Sequence, residues 1–137
     1  MSSETRRPIP KPNAYVPTQP FWDGARARKL MLQYCLDTNQ FQHYPRPVSI
    51  YTGSRNLEWR EVSGGGTIYA CTTLRISGPG LEGRVPLNVA TVELDEKVRL
   101  IVNILGSKPE DIKIGRRVVL AWDRLDQDTL YPAFRLA

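Results

Sequence analysis

The sequence predicts a mainly β protein, with one short helix and a small ribbon hairpin ahead of a five-stranded barrel. Three observations predict this. Beyond Leu57, apolar residues alternate with polar ones in runs bounded by Gly, Pro, Asp and Asn, which is strand periodicity. The longest run is interrupted at Gly64–Gly66, and glycines inside a strand mark a bulge or sharp coil of the kind a small barrel needs. Upstream, two tight turns repeat one spacing: Cys35 to Thr38 and Ser49 to Thr52.

Residues 1–19 form the first segment. Pro8, Pro10, Pro12 and Pro17 lie within it, and proline resists both helix and sheet, so an extended arm is expected. Residues 20–56 form the second. Pro20 suits a first helical turn and Asp23 its positive end, giving a helix from about Pro20 to Lys29. Its Phe21, Trp22 and Ala25 share one face, with Arg26, Arg28 and Lys29 mostly opposite. From Leu30 to Cys35 the period becomes that of a strand, LDTN turns, and QFQHYP returns. Pro45 and Pro47 end this hairpin, and SIYTGS makes the second turn.

Residues 57–137 form the barrel segment. A long first strand runs to about Ile76 through the glycine break. Two strands follow within Leu87–Gly106, around a turn at Asp95 and Glu96. SKPEDIKIG supplies a capped turn, and RRVVLAWDRL and LYPAFRLA are the last two strands. Five strands, the first long and coiled, with a helical turn after the third, are the outline of an OB-fold.

Composition narrows the function. Net charge is +5 and the pI about 9.5, which permits an anionic partner, although acids interleave with most of the basic residues. No apolar run reaches the length of a membrane span, and MSSETRRPIPKPN has no apolar signal core, so a cytosolic protein is expected. Two cysteines, Cys35 and Cys71, are then expected as reduced thiols. No catalytic residue is predicted. His43 is the single histidine, with no nucleophile at motif spacing. The glycine run lacks the Lys-Ser of a phosphate loop. Glu93, Asp95 and Glu96 sit where a hairpin turn normally carries solvated acids.

The repeated turns have the spacing of a zinc ribbon, C-x-x-C followed by C-x-x-C. Only Cys35 is a competent ligand, because the hydroxyls of Thr38, Ser49 and Thr52 do not ionise at neutral pH. Zinc is therefore not expected. The small polar residues can instead bond backbone groups in their own turns.

The ordered series PFWDGARARKLMLQYC, PRPVSIYTGS, LEWREVSGGGTIYACTTLRI, VPLNVATVELDEKVRLIVNILG and PEDIKIGRRVVLAWDRL resembles the acyl-CoA-associated OB-fold family. Members join a rubredoxin-like zinc ribbon to a C-terminal OB domain, and the resemblance covers nearly everything after Ile9. It implies a non-catalytic accessory subunit in a hetero-oligomer with a thiolase-like protein. Such complexes act on acyl-CoA by acyl transfer, Claisen or retro-aldol cleavage, as in steroid side-chain or aromatic catabolism. The reactive groups would lie on the partner, and this subunit would help bind or channel the CoA thioester, with no tightly bound cofactor of its own. Three of the family's four cysteines are absent here, at Thr38, Ser49 and Thr52.

Under this reading Arg46, Arg55, Arg26 and Arg28 are the candidates for CoA phosphates, since guanidinium forks suit phosphate; solvated surface charge is their other use. Tyr15, Phe21 and Trp22, beside the proline-rich arm, are candidate partner anchors, the alternative being that they pack on this chain's own hairpin. A function of another class is an OB module for single-stranded nucleic acid, with Trp59, Tyr69, Trp122 and Tyr131 as stacking rings. Glu58, Glu61 and Glu93 interrupt the basic face such a module needs, which disfavours nucleic acid.

Overall fold

A computed structural model describes residues 18–76, 78 and 80–137; the proline-rich arm up to residue 17, including Tyr15, lies outside the described residues. The elements run α1 (Gln19–Arg26), β1 (Met31–Cys35), β2 (Gln40–Gln42), β3 (Leu57–Glu61), β4 (Gly65–Leu74), β5 (Leu87–Leu94), β6 (Arg99–Asn103), β7 (Arg117–Arg124) and β8 (Leu130–Leu136). A 3-10 turn at Pro109–Asp111 separates β6 from β7. Pro20 sits in the first turn of α1, as expected. The helix ends three residues before Lys29 because Arg28 turns left-handed (φ 58°) and the amides of Arg28 and Lys29 fold back onto the carbonyls of Ala25 and Gly24.

The strands form two sheets, a three-stranded one in the order β2-β1-β3 and a five-stranded one in the order β6-β5-β4-β7-β8. The second curls until Ile104 pairs in parallel with Phe134, and Leu105 donates to the Phe134 carbonyl at 2.8 Å. This nearly closed antiparallel barrel, with its helical turn after the third strand, is an OB-fold. Its core follows from alternation. Ala90, Val92 and Leu94 of β5 and Leu100 and Val102 of β6 point inward, where they meet Ile68, Val118 and Phe134. Each large side chain so buried contributes about 1.5–3 kcal/mol. Among the described residues no helix is long and apolar enough to cross a membrane.

One expectation is corrected. Residues 57–76 are not one coiled barrel strand. Leu57–Glu61 pairs antiparallel with β1 of the ribbon, from Leu57 opposite Cys35 to Glu61 opposite Met31. Only after Val62–Gly64 does the chain enter the barrel as β4, so the hydrogen-bonded boundary between ribbon and barrel falls there and not at Leu57. The glycines mark this crossing. Gly64 is left-handed (φ 82°), and a Cβ on Gly66 would stand 2.6 Å from Val92 Cγ1 and 2.8 Å from the Glu93 carbonyl. The bulge itself lies further on, where the register shifts between Ile68 and Ala70. The β4–β5 loop is held to the barrel by Arg84, which pairs with the buried Asp123; Asn103 Nδ2 donates to the same carboxylate at 3.2 Å.

Candidate functional site: a hydroxyl-bridged ribbon docked on the barrel

The two turns that share ligand spacing also share backbone geometry. In each, the residue after the last ligand position is left-handed: Asn39 (φ 54°) after Thr38 and Gly53 (φ 74°) after Thr52. Reversing the chain at that point aims successive amides back at the first ligand position, forming a small nest. Ser49 Oγ accepts from the amides of Tyr51 (3.1 Å) and Thr52 (3.3 Å). The amides of Asp37 and Thr38 occupy the equivalent positions after Cys35 and favour its thiolate. Both turns are therefore ligand knuckles in backbone terms, whatever side chains they carry.

A hydrogen bond joins the knuckles directly. Ser49 Oγ donates to Cys35 Sγ at 3.1 Å, with both residues buried. This hydroxyl lowers the Cys35 pKa below the usual thiol value more than any other group; the Thr38 hydroxyl and the two amides lower it further, while burial opposes them. Thr38 Oγ1 is buried and has no hydrogen-bond partner among the described residues. A second bridge runs through Asp37. Its carboxylate accepts from Thr52 Oγ1 at 2.9 Å, from Ser54 Oγ, and from Asn56 Nδ2 at 2.9 Å. Those three bonds, led by Ser54, hold the Asp37 pKa below the ordinary carboxylate value.

This donor set does not fit the zinc of a rubredoxin-like ribbon. Bonds of about 2.0–2.3 Å to a tetrahedral zinc place neighbouring donors about 3.5 Å apart. The oxygen and sulfur here stand 3.1 Å apart as a hydrogen-bonded pair, and three of the four positions offer neutral hydroxyls. Among the described residues no group of three or more His, Cys, Asp or Glu side chains is arranged to hold a metal ion.

Two buried glutamines fix the loop between the knuckles. Gln33 Oε1 accepts from the Arg46 amide and from Gln42 Nε2, both at 2.8 Å, and Gln33 Nε2 donates to the Arg46 carbonyl at 2.8 Å. Gln42 in turn donates to the Val48 carbonyl at 3.2 Å and accepts from the Ile50 amide at 2.9 Å. Residues 43–50 thus have a fixed backbone although they form no regular element.

The ribbon docks on the barrel through aromatic rings. Phe21 packs edge-on against Trp22 at 5.0 Å and lies 5.7 Å from His43, which stacks on Tyr44 at 4.1 Å. Trp22 reaches Tyr131 of β8 at 5.8 Å, and the Tyr44 hydroxyl accepts from the Ile101 amide of β6 at 3.4 Å. The rings therefore span β8 and β6, the two edge strands of the five-stranded sheet. Burial pushes the His43 imidazole down to about 4 and, with Tyr44 nearby, raises Tyr131 above the usual phenol value.

The candidates from the sequence are placed as follows. Phe21 is buried in the core and Trp22 is half-buried against it, so both pack on their own chain, Trp22 against the barrel as well as the ribbon. Arg26 pairs with Asp23 at 3.0 Å. Arg28, Arg46 and Arg55 are exposed with no side-chain partner among the described residues, and the Arg46 amide and carbonyl are both held by the Gln33 side chain. Of the possible stacking rings, Trp59 packs on the core, Tyr131 on Trp22, and Tyr69 lies under the Arg99 guanidinium at 3.7 Å. Sequence reasoning missed Asp37, Gln33 and Gln42, and named Tyr131 only as a stacking ring. Only Asp37 carried a signal, as an acid inside a degenerate knuckle.

Fold and knuckles together define an OB-fold protein with a three-stranded N-terminal ribbon that carries two knuckle turns. A family model described as the ChsH2 C-terminal OB-fold domain matches residues 59–123. A DUF35 domain-containing scaffold protein of Pyrococcus furiosus is 32% identical over 113 residues, which cover 80% of this chain and 83% of that protein. The chain belongs to this DUF35 family. Over 118 residues it is also 35% identical to a probable enoyl-CoA hydratase alpha subunit of Thermomonospora curvata, covering 85% of this chain but only 37% of that protein. The chain thus spans about a third of the length of that larger relative. A solved Ltp2-ChsH2(DUF35) aldolase contains a chain that superposes with TM-score 0.83 at 31% identity, covering 92% of this chain and 98% of that one.

Proposed function

We propose that this protein is a non-catalytic accessory subunit of a hetero-oligomeric complex that acts on acyl-CoA thioesters, with the reacting groups on a thiolase-like partner. The observation that carries the reading is the end-to-end match to the DUF35 chain of an aldolase complex, ribbon and barrel together. The site chemistry is consistent with it. Exposed guanidiniums without a side-chain partner among the described residues, at Arg28, Arg46 and Arg55, each suit a phosphate group, and the Gln33–Arg46 clamp lowers the entropy lost when that loop meets a ligand. Arg26, already paired with Asp23, is the weakest of the four CoA candidates. The arm up to residue 17, with Tyr15, and the uncovered edge of Trp22 are the proposed partner contacts; Phe21 serves by holding Trp22 in place. The complex works in the cytosol, and this subunit carries no resident zinc. Nucleic acid is disfavoured, because Trp59 packs on the core and Tyr131 on Trp22, which leaves the exposed Tyr69 without those neighbours as a stacking platform.

The reading is tested by co-expressing the chain with a thiolase-like protein of its own genome and measuring the mass of the purified complex. A stable hetero-oligomer is expected, weakened by roughly 2 kcal/mol or more for Trp22→Ala if Trp22 is a hot spot. Two proteins that elute separately at micromolar concentration would overturn it. Elemental analysis of chelator-free protein should find far less than one zinc per chain, and a stoichiometric amount would contradict the zinc-free ribbon.

A further inference from the structure

We infer that the Asp37 carboxylate, together with the Cys35–Ser49 contact, does in this ribbon the work of a metal ion, cross-linking two knuckles whose backbone is still shaped for four ligands. The inference concerns the ribbon alone and stands whatever the partner proves to be.

A tetrahedral metal ties a ribbon together by bonding two donors from each knuckle. Here the same two knuckles are tied at the same two levels. At the inner level, the first ligand position of one knuckle bonds the first of the other, Ser49 Oγ to Cys35 Sγ at 3.1 Å. At the outer level, Asp37 bonds the last ligand position of the other knuckle, Thr52, at 2.9 Å. The same carboxylate reaches Ser54 and Asn56, on the segment that leads the chain into β3. A further link, the Leu36 amide to the Asn56 carbonyl at 2.9 Å, runs between the same segments. One side chain thus gathers three donors around a negative centre, the inverse of a cation gathering four anionic or neutral ligands. Charge-assisted bonds of this kind are roughly twice as strong as neutral ones, so the carboxylate, more than the hydroxyls, supplies the cross-link.

The backbone has kept the older shape. Left-handed Asn39 and Gly53 occupy equivalent places, and the amides two and three residues after Ser49 point at its side chain. A hydroxyl needs no such pair of donors to be satisfied, whereas a thiolate held by a metal does. The knuckles should therefore accept thiolates again, and with them a soft or borderline divalent cation such as zinc or cobalt.

The experiment uses the full chain. Asn at position 37 keeps the size of the side chain but leaves one acceptor oxygen where there were two. With Asp37→Asn, amide hydrogen exchange across residues 35–39 and 49–56 should accelerate about ten-fold or more, with exchange at Val92, Val102 and Phe134 unchanged. Adding Thr38→Cys, Ser49→Cys and Thr52→Cys to that variant should give one cobalt(II) per chain with a tetrathiolate absorption band. Zinc should then restore the lost protection in the ribbon. Unchanged ribbon exchange in Asp37→Asn would overturn the inference, as would a four-fold variant that binds no cobalt. If Asp37→Asn alone fails to fold, the four-fold variant decides: folding recovered with zinc supports the inference, and failure to recover contradicts it.

Discussion

The ribbon and the barrel are both small β structures, yet different forces hold them. The barrel interior is apolar: Ile68, Val92, Leu94, Val102, Val118 and Phe134 exclude water, and closure needs only one parallel bridge. The ribbon buries Gln33, Gln42 and Ser49, and its geometry depends on directional bonds among them and Asp37. Burial is roughly proportional to area and tolerates repacking, whereas a polar network works only when every member is satisfied. Hydrogen bonds link the two knuckles of the ribbon, whose three short strands offer little apolar area for burial.

The largest effect that would sharpen this comparison is in the barrel. Phe134 is fully buried at the closure, so Phe134→Ala should cost about 3–5 kcal/mol in urea unfolding. A loss below about 1 kcal/mol would mean that the apolar core is not what holds the barrel.

Next comes the junction between the two regions, through pH. The folded pKa of His43 is about 4 against an ordinary 6.5. Between those values the unfolded chain binds a proton that the folded chain does not. Stability is therefore complete above about pH 6.5 and falls as pH drops toward 4, by up to about 3 kcal/mol. Denaturation at pH 7 and pH 4.5 should show this fall, and His43→Phe should remove most of it. A His43→Phe protein with an unchanged pH profile would break the assignment.

A smaller effect is expected within the ribbon. Gln42→Leu keeps the volume but removes the partner of the part-buried Ile50 amide and leaves one side of the buried Gln33 unpaired, at a cost of about 1–3 kcal/mol. Limited proteolysis should then cut within residues 43–50, which the parent protein resists. Resistance in the variant would show that the glutamines do not hold this loop.

Legibility in the sequence divided along the same line. Alternation exposed β5 and β6, because each has one face in the core and one outside. The repeated C-x-x-T and S-x-x-T spacing exposed both knuckles. The partner choice of Leu57–Glu61 was not legible, since a strand's own pattern does not say which sheet receives it; that is set by the glycine crossing and by register with β1. Gln33 and Gln42 were not legible as core residues either. A glutamine reads as polar surface until its partner, nine residues away in the chain, is seen across the ladder. Phe21 and Trp22 were visible as a pair, but not that Tyr131 of the last strand would cover one of them.

The central claim is that this chain contributes architecture and CoA contacts, but no reacting group, to a partner's chemistry. The most direct measurement is steady-state turnover of an acyl-CoA substrate by the chain alone, by the thiolase-like partner alone, and by the reconstituted complex. The account predicts no turnover by the chain, full turnover only by the complex, and a KM raised several-fold by Arg46→Ala with kcat nearly unchanged, as expected when uniform binding is lost. Turnover by rigorously partner-free chain, or a partner whose activity is indifferent to the chain, would contradict it.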